Sequence, residues 1–209
     1  MKLCCLVDDA AMPNSDFRAE HGLSFLIETP EGRVLLDTGG SGEVLLHNMA
    51  SAGIEPERIS ALALSHSHSD HTGGLAALLA RRPDLPVYAH PDIFRERFSQ
   101  KDGKLKSVGL AIELQVLRQR ADLRLHTGPQ VILPGIWTTG EILDRPEPEG
   151  RSPHHFVRRG DQLIPDPYQD DMSLVLESSR GLVLLCGCCH AGLLNVLAHV
   201  RRAFDRDPV

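Results

Sequence analysis

The chain has 209 residues, a mass of 23.0 kDa, 42% hydrophobic and 24% charged residues, and a formal charge of −6. A chain of this size buries about 70% of its extended surface, enough for a real core, and the composition excludes disordered, collagen-like and coiled-coil classes. A net-acidic surface disfavours a phosphate backbone as partner, and no apolar run approaches the length of a membrane span, so neither nucleic acid nor membrane is expected.

The start, MKLCCLVDDA, has one Lys followed by five apolar residues before Asp8 and Asp9. That stretch is too short for the hydrophobic region of a signal peptide, so a cytoplasmic location is expected. Five cysteines bunched as Cys4, Cys5, Cys186, Cys188 and Cys189 do not form a distributed disulfide framework and read as reduced thiols. Residues 21–37, HGLSFLIETPEGRVLLD, place two apolar runs around a Pro-Glu-Gly turn and predict a hairpin. ISALALSH (59–66) and LPVYAH (85–90) are nearly continuous apolar runs of the kind found in strands covered on both faces. Between them GGLAALLARRP has Leu75, Leu78 and Leu79 at helical spacing and ends at Pro83, giving a strand, helix, strand unit.

PDIFRERFSQ (91–100) predicts a second short helix, with Pro91 in its first turn and Phe94 and Phe98 four apart. Residues 101–129 carry no readable pattern. QVILPGIWTTGEI predicts one strand kinked at Pro134, and 144–168, with five prolines and the pair Arg158 and Arg159, predicts a long loop of lid type. SLVLES and LVLLCG around Ser-Arg-Gly predict a hairpin, followed by a helix with Leu193, Val196, Leu197, Val200 and Phe204 on one stripe. Hairpins and crossover helices recur in both halves without a linker between them. The expectation is therefore one domain over 1–209, an α/β fold of two facing sheets with helices outside, a four-layer αββα sandwich.

The chemistry is concentrated directly after the first buried strand, in Ser65-His66-Ser67-His68-Ser69-Asp70-His71-Thr72-Gly73-Gly74. In extended chain, residues two apart point the same way, so His66 and His68 can converge on one ion. Asp70 and His71 lie where the chain turns into the helix and can address a second ion. Gly73 and Gly74 let backbone pass close by.

At these residues the chain resembles the metallo-β-lactamase superfamily of metal-dependent hydrolases, whose HxHxDH signature is complete in His66, His68, Asp70 and His71. Leu35-Leu36-Asp37-Thr38-Gly39 resembles the family's first motif, and the resemblance implies that Asp37 supports the ligand loop by hydrogen bonding. Glu20-His21-Gly22-Leu23-Ser24, Thr139-Gly140-Glu141-Ile142, Asp170-Asp171 and Gly187-Cys188-Cys189-His190-Ala191-Gly192 are similar to a subgroup related to methanopterin-pathway dihydropterin and ribofuranosylaminobenzene phosphate synthases. The resemblance also implies a third His, a bridging Asp and a final His at strand ends downstream.

Among His90, His126, His154, His155, His190 and His199, only His190 closes a strongly apolar strand, where a ligand is held rigidly. Asp171 is taken as the bridging carboxylate, with a solvated turn or a helper for a ligand His as alternatives. Cys188 falls where a Gly-Asp often sits in relatives, and a thiolate ligand or a buried structural Cys are both open. His90 ends a strand and stands for substrate contact or a strand cap; Arg158 with Arg159 stands for a phosphate clamp or a solvated loop. Asp8, Asp9 and Glu20-His21 line the pocket or form a plain loop with a capping acid. His199 faces away from its helix's apolar stripe and is expected in solvent. For stacking a planar substrate, Phe94, Trp137, Phe156 and Tyr168 are the aromatic candidates.

The expected function is a metal-dependent hydrolase in which a metal-bound hydroxide attacks a small ester, lactone, thioester or phosphoester. Asp70 would orient the hydroxide as catalytic group, and His66, His68, His71 and His190 would hold two divalent ions, Zn by default with Fe or Mn fitting the same donors. Two alternatives stand beside it: a mononuclear iron oxygenase acting on thiols, and a metal or redox sensor built on Cys186, Cys188, Cys189 and His190. A small molecule is the expected partner, with a homodimer left open.

Overall fold

The computed structural model describes residues 1–204. In chain order these form β1 (Lys2–Val7), β2 (Ser24–Thr29), β3 (Gly32–Leu36), α1 (Gly42–Ser51), β4 (Ala61–Ala63), α2 (Ser69–Thr72), α3 (Leu75–Arg81), β5 (Leu85–Ala89), β6 (Arg97–Lys101) and β7 (Lys104–Ser107). There follow α4 (Leu114–Arg120), β8 (Ala121–Leu125), β9 (Gln130–Leu133), β10 (Ile136–Thr138), β11 (His155–Arg159), β12 (Gln162–Pro165), β13 (Ser173–Ser178), β14 (Gly181–Cys186) and α5 (Leu193–Phe204). The chain divides into two compact units: Met1–Leu64 with Ser69–Ala89 and Ala111–Leu125, and Ser65–His68 with His90–Leu110 and His126 onward.

The first unit is built on a six-stranded sheet in the order β1-β2-β3-β4-β5-β8. The expected hairpin is β2–β3, antiparallel from Phe25 opposite Leu36 to Thr29 opposite Gly32. β3, β4, β5 and β8 then run parallel. Val34, Leu35, Leu62, Ala63, Val87 and Ala89 are buried, as the unbroken apolar runs require. β4 is only three residues long: beyond it Leu64 N donates to Tyr88 O at 2.9 Å, and the histidine run begins where the chain leaves the carboxyl end of the sheet. Ligand sites of open α/β sheets are placed there.

Helix α3 buries Leu75, Leu78 and Leu79 as expected. α1 lies against β1 and α3. Ser41 caps it, its side chain accepting from Val44 N at 3.2 Å, and Leu45 and Met49 are buried one turn apart. Buried Asn48 is fully used: Nδ2 donates to Leu6 O at 2.7 Å and Arg18 O at 2.9 Å, and Oδ1 accepts from Arg18 N at 2.8 Å. Gly73 and Gly74 hold the turn below the histidines, because an added Cβ would stand 2.0 Å from Gly40 O and 2.3 Å from Thr38 O.

The second unit contains two antiparallel four-stranded sheets, β14-β13-β10-β9 and β12-β11-β6-β7. Under α5 the core consists of Ile142, Val175, Leu182, Ala191, Val196 and Val200, with Leu184 and Phe204 at its margin. Leu193, expected on the buried stripe, is 49% exposed because it starts the helix beyond the edge of that core.

Four expectations are corrected here. Residues 91–100 are not one helix: a single 3-10 turn over Pro91–Phe94 passes into strand β6, which pairs Phe98 with Phe156 and Ser107. An isolated ten-residue helix is marginal, and the ladder with β11 outweighs its propensity. Pro134 does not kink one strand but forms the Pro-Gly turn of the β9–β10 hairpin, with Gly135 at φ +78°. The expected loop at 144–168 is structured in its second half, where β11 and β12 form a hairpin turning at Gly160 and join β6. The unreadable 101–129 contains β7, α4 and β8.

Candidate metal centre

Within the second unit the segment Ser65–His68 is pinned at both ends of its reach. Ser65 O accepts from Met172 N at 2.9 Å, and Ser67 N donates to Asp170 Oδ2 at 2.9 Å. Ser65 Oγ lies 2.9 Å from His66 Nδ1 and fixes the rotation of that ring. His66 and His68 are buried, with ring centroids 4.5 Å apart.

The third corner is His190, delivered by β14 and a turn at Cys189, whose φ is +57°. Its centroid is 5.0 Å from that of His66 and 5.0 Å from that of His68. One donor nitrogen from each of the three rings lies within 4.8 Å of the others. Donors about 2.0–2.1 Å from a tetrahedral ion stand about 3.4 Å apart, so the triad is near a binding geometry. His190 Nδ1 donates to Gly150 O at 3.1 Å, which leaves the lone pair on Nε2, a buried atom with no hydrogen-bond partner.

The two acids of Asp170-Asp171 divide their work. Asp170 uses both oxygens: Oδ2 on Ser67 N, and Oδ1 on Arg97 Nη2 at 2.7 Å. Asp171 Oδ2 accepts from Ala191 N at 2.8 Å, while its Oδ1 is buried with no hydrogen-bond partner. A buried carboxylate oxygen and a buried imidazole nitrogen without hydrogen-bond partners are each costly in a protein interior. A divalent cation among the three imidazoles would satisfy His190 Nε2, so these donors fit a metal ion. Burial pushes the Asp171 carboxyl up, and it pushes Asp170 up to about 7 against the pull of Arg97.

Tyr168 completes the wall behind His190. Its ring stacks on the imidazole at 4.2 Å and 11°, and its hydroxyl accepts from Ser152 N at 3.2 Å and meets His155 Nδ1 at 2.9 Å. Burial raises its pKa to about 12, so the hydroxyl keeps its proton. His155, passed over in favour of His190 as a ligand, has its ring centroid 4.8 Å from that of His68.

In the first unit Asp37 and His71 form a buried pair, His71 Nδ1 donating to Asp37 Oδ2 at 2.7 Å. Asp37 stands at φ +61° where it leaves β3, and Thr38 N and Oγ1 donate to His71 O at 2.7 and 3.0 Å. A carboxylate on Nδ1 fixes the tautomer and orientation of an imidazole, here with the proton on the nitrogen that faces Asp37. Asp70 Oδ2 lies 3.5 Å from His71 Nε2 and 3.6 Å from His21 Nε2. Glu20 is the capping acid, accepting from Gly40 N and Ser41 N at 3.1 and 2.8 Å.

The remaining candidates have defined places. His90 is 5% exposed; its Nδ1 accepts from Asp92 N at 3.1 Å, and its Nε2 is 3.5 Å from Glu141 Oε2. Burial lowers its pKa, so the ring is neutral. Arg158 lies on β11, exposed, with Nε 2.8 Å from Glu96 and its guanidinium over the Phe98 ring. Asp8 and Asp9 are exposed, and Asp9 meets His21 Nδ1 at 2.9 Å. His199 is not in open solvent: it is half-buried, with Nε2 3.0 Å from Thr139 O. None of the five cysteines forms a disulfide, and Cys188 is exposed. A bond from Cys189 brings Cys186 down to about 7.

Arg97 was not anticipated at all. It is 1% exposed, with Nε 2.9 Å from Asp166 and Nη2 3.0 Å from Asp92 and 2.7 Å from Asp170. Burial works against its charge, and these three carboxylates outweigh it and raise its pKa. Nothing in RERFSQ marks one Arg for the interior.

A sequence profile described as the metallo-beta-lactamase superfamily matches residues 18–191. A 7,8-dihydropterin-6-methyl-4-(β-D-ribofuranosyl)-aminobenzene-5'-phosphate synthase of Methanocaldococcus jannaschii is 32% identical over 208 residues, covering 94% of this chain and 70% of the relative. Among solved structures, a metal-dependent hydrolase of the β-lactamase superfamily superposes with a TM-score of 0.79 at 25% identity, over 98% of this chain and 72% of that one. A quorum-quenching N-acyl homoserine lactone hydrolase shares the fold alone, at TM-score 0.53 and 14% identity over 90% of this chain and 77% of that one. No helix among the described residues is long and apolar enough to cross a membrane. The expected αββα fold class is that of this family, whose members bind divalent metals, and the chain belongs to the metallo-β-lactamase superfamily.

Proposed function

We propose that the chain is a metal-dependent hydrolase of small esters, lactones, thioesters or phosphoesters. The observation that carries this reading is the convergence of His66, His68 and His190 with the buried His190 Nε2 left without a hydrogen-bond partner. With Asp171 these residues would hold one divalent ion, and Asp70 and His71 would supply donors for a second; Zn is the default for imidazole and carboxylate, with Fe or Mn admitted by the same set. When bound, such ions lower the pKa of water towards neutrality and polarise an ester or phosphoryl oxygen. Asp70, a quarter exposed, accepts a proton from the attacking water and orients it through Oδ2. His90, with Nδ1 occupied by Asp92 N, carries its proton on Nε2 and can donate it to a substrate oxygen. The protonated Tyr168 hydroxyl and His155 complete the polar wall.

The test is metal analysis of protein purified without added chelator, followed by turnover of a panel of esters, lactones, thioesters and phosphoesters. Two ions per chain and hydrolysis of at least one class, both lost on chelation and restored by Zn, are expected. One Fe per chain with O₂ consumption overturns the reading in favour of an oxygenase.

A second reading is favoured by the 32% identity over 94% of the chain to a synthase. In it the same donors would serve the joining of a dihydropterin methyl carbon to an aminobenzene ribofuranoside phosphate, with a leaving group such as a phosphate ester departing from that carbon with its bonding electrons and the acceptor losing a proton. Mass spectrometry of a mixture of a reduced pterin that carries a phosphate-ester leaving group on its methyl carbon and an aryl-amine acceptor distinguishes the two, since a coupled product without hydrolysis of the panel supports the synthase. Location in the cytoplasm and a homodimer remain proposals, read respectively by fractionation and light scattering.

A further inference from the structure

We infer that Arg97 is the positioning residue of the histidine triad. The inference rests on the reading that His66, His68 and His190 hold an ion. Arg97 reaches the triad from two sides. Through Nη2 it holds Asp170 Oδ1 at 2.7 Å, and the other oxygen of Asp170 takes Ser67 N at 2.9 Å, the peptide between His66 and His68. Through Nε it holds Asp166 Oδ2 at 2.9 Å, and Asp166 Oδ1 takes Tyr168 N at 2.7 Å. Tyr168 stacks on His190 at 4.2 Å.

One guanidinium therefore sets the peptide that carries two ligands and the ring that backs the third. The geometry suits a planar fork and not a point charge, because Nε and Nη2 address two different carboxylates at once. Tyr168 also stands at φ +48°, an unfavourable conformation for a bulky residue, so its ring stays in place only while Asp166 and the bond from Arg145 Nη2 to Tyr168 O at 2.7 Å hold its backbone. Arg97 and the carboxylates of Asp166 and Asp170 are all buried. Buried ion networks add little net stability compared with apolar packing, whereas removing one member leaves the others uncompensated. What this network supplies is the relative placement of three imidazoles.

The test uses full-length wild type, Arg97→Gln, Arg97→Lys and His68→Ala, stripped of metal and titrated with Co²⁺ against a competing chelator, with visible spectra and circular dichroism. Wild type should bind Co²⁺ with the intense bands of a low-symmetry site. Arg97→Gln should weaken that binding about 10- to 100-fold and move the bands, as loss of a partner that orients ligands does elsewhere. Arg97→Lys should recover part of the affinity but not the spectrum. If Arg97→Gln binds within about threefold of wild type with unchanged bands, even at a lowered Tm, the residue is merely structural and the inference is wrong. Should Arg97→Gln fail to fold, Asp166→Asn decides: it keeps an acceptor for Tyr168 N but loses the charge facing Arg97. Weaker binding with shifted bands supports the inference, and unchanged binding and bands overturn it. Wild type binding Co²⁺ no more tightly than His68→Ala is a different failure, that of the metal site itself, and the inference falls with it.

Discussion

The two units orient their metal-binding candidates by different means. In the first, one carboxylate serves one imidazole: Asp37, at the end of β3, takes His71 Nδ1 at 2.7 Å, and the loop below is held by backbone and two glycines. In the second, His66, His68 and His190 are held by a buried network in which Arg97 comes from β6 and Asp166, Tyr168 and Asp170 from one distant segment. The first arrangement is built from the ends of adjacent parallel strands and can be written in a short motif. The second depends on partners 69, 73 and 103 residues apart, which no motif contains. Each ligand set should therefore be separately breakable.

The largest effect is expected from His68→Ala. Removing one corner of the triad should abolish binding of its ion and all turnover, while far-ultraviolet circular dichroism stays that of wild type, because the core strands do not depend on this side chain. Equal turnover of the substrate panel by wild type and variant would show that the chemistry lies elsewhere.

Next comes Asp171→Asn, which keeps an acceptor for Ala191 N and removes the buried charge. Without metal the variant should be the more stable of the two proteins, since burial already opposes ionisation of this carboxyl. With metal it should gain less, binding the triad's ion about 100-fold more weakly, at the upper end of what losing a charged ligand partner costs. Thermal melts with and without Zn read both signs together. A metal-free Tm below wild type would mean that the charge of Asp171 serves the fold and not a metal.

Asp37→Asn should be milder, about tenfold in the affinity of one ion, because the amide oxygen still accepts from His71 Nδ1 and Asn tolerates the positive φ that Asp37 adopts. The ion held by His66, His68 and His190 should bind as in wild type. Arg97→Gln should show the opposite pattern, and a variant of either that weakens both ions equally would dissolve the distinction between the units.

That distinction also explains what could be read from the sequence. The β2–β3 hairpin, the parallel strands, α3 and the β13–β14 hairpin are written in local periodicity, and the HxHxDH run with Asp37 points to the family by itself. Legibility stopped where long-range partners decide the conformation. Residues 91–100 satisfy a helical pattern, yet Phe98 is claimed by β11 and Arg97 by three distant acids, so the segment extends. Residues 155–165 look like loop because Pro165, Gly160 and two arginines mask a four-residue ladder whose strength comes from pairing with β6. In the Asp-Asp pair the sequence offers Asp171 as the carboxylate for a metal but gives no sign of what its neighbour does, because the partners of Asp170, Ser67 N and Arg97, lie 103 and 73 residues away.

The smallest effect is expected from Arg158→Ala, and it tests whether Arg158 clamps a phosphate or belongs to a solvated surface. A phosphate clamp needs a guanidinium with donors to spare, whereas Arg158 is exposed, paired with Glu96 at 2.8 Å and laid over Phe98 at 5.0 Å. Exposed ion pairs and cation–π contacts each contribute no more than about 1 kcal/mol. Replacement should thus lower the Tm only slightly, leave both ions bound and leave KM for phosphoesters where it was. Neutral lactones and anionic phosphoesters should be measured side by side, because loss of a charge that steers all anions would act through ionic strength, whereas loss of a bidentate contact would not. A several-fold rise in KM confined to phosphoesters, with kcat unchanged and insensitive to salt, would restore Arg158 to the substrate. It would also place part of specificity on the β11–β12 hairpin, which already brings the His155 ring to 4.8 Å from that of His68.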